Sequence, residues 1–182
     1  MTRVWYGFIA SFGVLLGLSA CGRASLDEYA GTKPALVLED YFAGKTKAWG
    51  LFEDRFGKVR RQFQVEIDGT WDGTLLTLVE DFVYDDGEID QRIWRITKET
   101  DGSYTGRADD IEGVARGFTS GRAFNWSYDI DLPVGDGTWR VHFNDWLFLH
   151  DDGVMINRAY VSKFGVEIGQ VTLFFRKEDA SQ

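Results

Sequence analysis

Residues 74–110 read TLLTLVEDFVYDDGEIDQRIWRITKETDGSYTGRADD, and this stretch decides the fold. Two short loops, Asp85-Asp86-Gly87 and Thr100-Asp101-Gly102, separate runs in which apolar and polar residues alternate. Alternation is the period of a half-buried strand, and a three-residue hairpin loop commonly ends in a left-handed residue that glycine fills without a Cβ clash. The loops therefore predict a register. Tyr84 faces Glu88, Leu78 faces Trp94, Leu76 faces Ile96, Trp94 faces Ala108, and Ile96 faces Gly106. Large side chains then stand beside small ones on one apolar face. Asp151-Asp152-Gly153 repeats the loop further on. These acidic triplets lack the carboxylate spacing and closing glutamate of a calcium loop, so they read as turns.

Working outward, Phe63, Val65 and Ile67 alternate with Gln62, Gln64, Glu66 and Asp68 in a strand that begins near Lys58. Further strands are predicted over residues 74–84, 88–99, 103–109, 122–132, 138–150, 154–163 and 166–176. Fourteen Phe, seven Trp and seven Tyr against two Pro fit strands better than helices. Glu39 to Lys47 has room for one short helical turn. No stretch between strands holds a helical crossover, so the sheet is antiparallel. The expected class is all-β: an up-and-down, lipocalin-like β-barrel of about eight to ten strands, because closure removes sticky edges. A β-sandwich is the alternative. The charged strands do not supply the apolar band of an outer-membrane barrel. Gly69-Thr70-Trp71 matches the Gly-x-Trp of lipocalins by composition alone, and Trp49 with Arg176 are candidates for the Trp/Arg stack that closes many such barrels.

The N-terminus has its own logic. After Arg3, Val4 to Leu18 carries no ionisable side chain except Tyr6, and Leu18-Ser19-Ala20-Cys21 follows. Such a stretch is shorter than the roughly 20 residues that span a bilayer and reads as a signal peptide over 1–20. Its end resembles the lipobox of bacterial lipoproteins, which implies cleavage before Cys21, acylation of that residue and a membrane anchor through it. Gly22, where an aspartate would stand in retained lipoproteins, implies the inner leaflet of the outer membrane. Residues 21–38 then read as a lipidated tether, 39–178 as the barrel domain and 179–182 as a disordered tail. Cys21 is the sole cysteine, so no intrachain disulfide forms. Without the first 20 residues the count of Lys and Arg falls to 19 against 29 acids, a net charge of −10. An acidic domain with no basic run argues against nucleic acid as a partner.

The hairpin register also aligns Glu80, Arg92 and Asp110 on the apolar face. Three ionisable groups there are costly unless they satisfy each other. They form either a buried ion network or the polar handle of a pocket in which Arg92 grips a carboxylate or phosphate. A bulge near Gly113 or Gly106 would turn one of them outward. Asp145 is a fourth candidate, since it alternates with Trp139, Val141, Phe143, Leu147 and Leu149. The opposite face of that strand, with Trp146 and Phe148, is also apolar and implies cover on both sides. His142 and His150 lie too far apart on one strand to share a metal, and no metal or cofactor is expected. Trp146 should face Arg158 as a cation-π pair.

From about Tyr41 to Lys177 the chain resembles a family of proteobacterial lipoproteins designated domain of unknown function 3833. The resemblance rests on residues 48–57 (AWGLFEDRFG), on Tyr84-Asp85-Asp86-Gly87-Glu88, and on Asn157-Arg158-Ala159 followed by Ser162-Lys163-Phe164-Gly165. It brings no assigned reaction, ligand or catalytic residue, so none is transferred. Glu53-Asp54-Arg55 beside Lys58, Arg60 and Arg61 reads as solvated ion pairs or as a barrel mouth. Three functions stay open at this level: a lipid-anchored, periplasm-facing binder or shuttle of a small amphipathic ligand; a non-catalytic envelope scaffold; and a small enzyme with Glu80 or Asp145 as general base.

Overall fold

Gly87, Gly102 and Gly153 take φ of 85°, 83° and 78°, the left-handed region that the loops demand. In each loop the central aspartate accepts the backbone N–H two residues on: Asp86 from Glu88 at 3.0 Å, Asp101 from Ser103 at 2.9 Å, Asp152 from Val154 at 3.3 Å. The acidic triplets thus hold turns. The computed structural model describes residues 24–178, with the side chains of Pro133 and Val134 set aside. Cys21, the segment 1–20 and the tail 179–182 lie outside the described residues.

Ten strands follow one another: β1 (Gly44–Asp54), β2 (Val59–Trp71), β3 (Leu75–Tyr84), β4 (Ile89–Lys98), β5 (Tyr104–Arg107), β6 (Ile111–Ser120), β7 (Ala123–Val134), β8 (Gly137–Leu149), β9 (Val154–Lys163) and β10 (Val166–Lys177). Each pairs antiparallel with its neighbours in sequence, and β1 pairs with β10, so the sheet is a closed up-and-down barrel rather than a sandwich. The register holds as read, with Leu78 opposite Trp94, Leu76 opposite Ile96 and Ile96 opposite Gly106. Strand β6 had no counterpart in the sequence reading. Its alternation is broken by Gly113 and Gly117, and its pairing with β7 slips between Glu112 and Arg116.

Inside, rings fill the space that glycines leave. A Cβ at Gly106 would come within 2.7 Å of the Trp126 ring, and the Trp94 and Trp126 rings lie 4.6 Å apart. One end of the barrel is plugged by a short helix, α1 (Leu38–Phe42), whose Phe42 ring meets Phe175 edge-on at 5.8 Å. Glu39 fixes the plug by accepting from Lys98 Nζ at 2.6 Å and Tyr104 Oη at 2.8 Å.

The segment read as a tether is not free along its described part. Tyr29 packs on Trp146 and Phe148 at 6.2 and 5.3 Å, Leu36 N–H donates to Gly121 O at 2.8 Å, and Leu36 and Leu38 are buried. Tyr29 of this strap supplies outer cover for Trp146 and Phe148, while Leu36 and Leu38 join the interior core.

Candidate functional site

The inward side chains enclose a cavity of about 340 Å³ that runs from Leu38 and Phe42 at the plug towards Phe52, Arg61, Tyr84 and Leu132 at the other end, the mouth. Most of its lining is apolar; besides Arg61 and Tyr84 at the mouth, the polar exceptions are Glu80, Arg92, Tyr128, Asp145 and Asn157.

Strands β3 and β4 place Glu80 opposite Arg92. Arg92 Nε and Nη2 both donate to Asp110 Oδ2, at 2.9 and 2.6 Å. Asp110 stands in the turn between β5 and β6, ahead of the bulge after Glu112, and reaches Arg92 with its side chain 39% exposed. Asp145 comes in from β8, 7% exposed, and its Oδ1 accepts from Asn157 Nδ2 at 3.0 Å. Glu80, Arg92 and Asp145 thus line one cavity, and Asp110 is joined to it through Arg92 without lining it. Asn157 and Tyr128 complete it and were missed. Both sit at alternating inward positions of β9 and β7, a signal that period two carried without any charge to draw notice.

The electrostatics follow from burial. Burial pushes the Glu80 carboxyl up to about 7, with Asp110 and Asp145 adding to the rise and Arg92 opposing it. Burial likewise takes Asp145 up to about 6, against the pull of Asn157, Tyr128 and Arg92. The Tyr128 phenol is raised well above its ordinary range, by burial first and Asp145 second. Arg92 is opposed by burial but held firmly charged by Tyr128, Glu80 and Asp110. Two carboxyls that change charge near neutrality, one phenol and one committed guanidinium make a site able to accept hydrogen bonds or to exchange a proton.

Two contacts expected from the sequence differ. Trp146 does face Arg158 in the ladder, but no cation-π pair forms: Trp146 stacks on Phe148, and Arg158 Nη1 donates to Gln170 Oε1 at 3.1 Å. Trp49 lies on the outer surface beside Phe174, with Lys47 Nζ 5.9 Å from its ring, while Arg176 stands opposite Lys47. The Trp/Arg stack is therefore absent, because Ala48 and Phe175 take the inward positions. The mixed-charge stretch divides: Arg60 pairs with Asp54 in solvent, whereas Arg61 lies 3.5 Å over the Tyr84 ring and bonds Asp86 and Glu88 at the mouth. His142 Nδ1 lies 2.8 Å from Asp129 Oδ1 on the outer face. No group of His, Cys, Asp and Glu suited to a metal occurs among the described residues.

Fold and site together define a closed ten-stranded barrel with an acid-rich interior cavity. The chain matches the family described as "Protein of unknown function (DUF3833)" over residues 15–177 and belongs to it. No curated protein matches the chain.

Proposed function

We propose that the chain is a lipid-anchored envelope lipoprotein, acylated at Cys21 and held on the periplasmic face of the outer membrane, whose barrel binds or shuttles a small amphipathic molecule. The observation that carries the binding reading is the interior cavity: about 340 Å³, walled by rings and aliphatic side chains, with Glu80, Arg92, Tyr128 and Asp145 converging inside it. That combination of apolar wall and few polar groups is the usual build of a small-molecule site. The anchor rests on the sequence before Cys21.

Large apolar side chains at the mouth, Phe56 at 80% and Phe164 at 94% exposed, support entry of an apolar molecule from that end. They also favour a second reading, an envelope scaffold whose mouth meets another protein. Native mass spectrometry of protein purified from its own host tests the first reading. A retained small molecule that is lost on unfolding is expected, and a mass equal to the acylated chain alone overturns it. Radiolabelled palmitate should enter the parent and not Cys21→Ser. A specific crosslinked species in cells without any extracted ligand would favour the scaffold.

A further inference from the structure

The cavity holds more acceptors than donors. Arg92 spends Nε and Nη2 on a single oxygen of Asp110. Asp110 Oδ1 is buried without a partner, and so is Oδ2 of Asp145, although Tyr128 stands near enough to influence that carboxyl. The Glu80 carboxyl makes no hydrogen bond or ion pair among the described residues, and it lines the same space. Two carboxyls, Glu80 and Asp145, thus line the cavity with one guanidinium that Asp110 already engages from beside it. One of the two sequence readings had Arg92 grip a ligand carboxylate or phosphate, but such an anion would lie among the like charges of Asp110, Glu80 and Asp145.

Resting on the interior-binding reading above, we infer that the ligand's polar end is a hydrogen-bond donor, specifically a protonated amine, seated between Asp145 and Glu80. An ammonium offers three donors and no acceptor, the complement of a pocket with unfilled carboxyl oxygens. Buried acceptors left unmade are expensive, and a charge-assisted bond from an ammonium removes that cost. The aromatic wall suits the same head: Tyr128 stacks on Phe143 at 5.3 Å and meets Trp126 edge-on at 5.6 Å, and ring faces attract cations. The rest of the ligand is an alkyl or aryl body against Phe63, Phe82, Leu147 and Leu173.

Three probes sharing one chain separate the alternatives: decylamine, decan-1-ol and decanoate, titrated at pH 7.5 against the parent protein, with the fluorescence of its tryptophans as readout. The amine should bind at least about tenfold more tightly than decanoate, with the alcohol between them. The E80Q/D145N double variant should bring the amine to the level of the alcohol. Decanoate binding as tightly as the amine overturns the inference while the interior site stands, and so does an amine preference that survives in the double variant. Failure of all three probes overturns the interior site itself. The head-group order is read on the parent alone, so the test holds if the variant folds poorly.

Discussion

Glu80 shows how a single side chain ties stability to pH. Its carboxyl is raised from 4.5 to about 7 by burial, so between those values the folded protein holds a proton that the unfolded chain has released. Stability conferred by this group is therefore complete below about pH 4.5 and is lost as pH climbs through 7. Asp145 acts with the same sign up to about 6. Glu80→Gln removes the first contribution. In urea titrations the variant should equal the parent near pH 4 and exceed it at pH 8 by up to roughly 3 kcal/mol, at 1.36 kcal/mol per unit. A parent more stable than the variant at pH 8 would mean that Arg92 outweighs burial. Arg92 itself is the reverse case, since its removal strands Asp110. Because the Asp110 side chain is 39% exposed and partly solvated, Arg92→Met should cost about 1–3 kcal/mol at pH 8, and less when Asp110→Asn is already present. The double-mutant cycle measures that coupling, and strict additivity would show that the pair contributes nothing to the fold.

Among the elements, the plug helix depends on a missing side chain. Gly69 on β2 lies against the Phe42 carbonyl, and a Cβ there would overlap that oxygen. Gly69→Ala should therefore push α1 outward and cost about 1–3 kcal/mol as an overpacking change. Hydrogen exchange should quicken at the Tyr41 and Ala43 amides, which donate to Val37 and Glu39, with the sheet left protected. Unchanged exchange at these amides would show that the plug shifts without opening. The contrast between this helix and the hairpins explains what was legible in advance. A glycine in a three-residue loop carries a local signal, so β3, β4 and the start of β5 could be registered from residues 74–110 alone, and the site's Glu80, Arg92 and Asp110 came with them. A short helical turn was readable within Glu39 to Lys47, but at five residues α1 is too short for a period to show which face it buries, and its partner Gly69 is distant in sequence, so its role as a plug was not. The strap with Tyr29 and Leu36 escaped for the same reason. Strand β6 was illegible because its bulge interrupts the alternation that would have announced it.

For the whole molecule, the question is whether the polar interior holds the barrel together or is tolerated by it. The closing ladder of β1 on β10 leaves no sheet edge, and rings pack against glycines along the interior. Neither feature needs Asp145, whose Oδ2 is unpartnered at 7% exposure. A buried acid hydrogen-bonded to one amide seldom adds stability over an apolar pair of the same shape, whereas losing one member of the pair leaves the other unsatisfied. Asp145→Leu alone should thus destabilise, because Asn157 loses its carboxylate partner. The joint replacement Asp145→Leu/Asn157→Leu should recover that loss at pH 8 and add about 2 kcal/mol, roughly 4–8 °C in Tm for a chain of this size. It should also abolish the preference for decylamine over decan-1-ol. Differential scanning calorimetry beside the probe titration reads both quantities on one sample. Were the joint variant less stable than the single one, the acid and amide would be part of what closes the barrel; a stabilised barrel without head-group selectivity assigns them to the ligand.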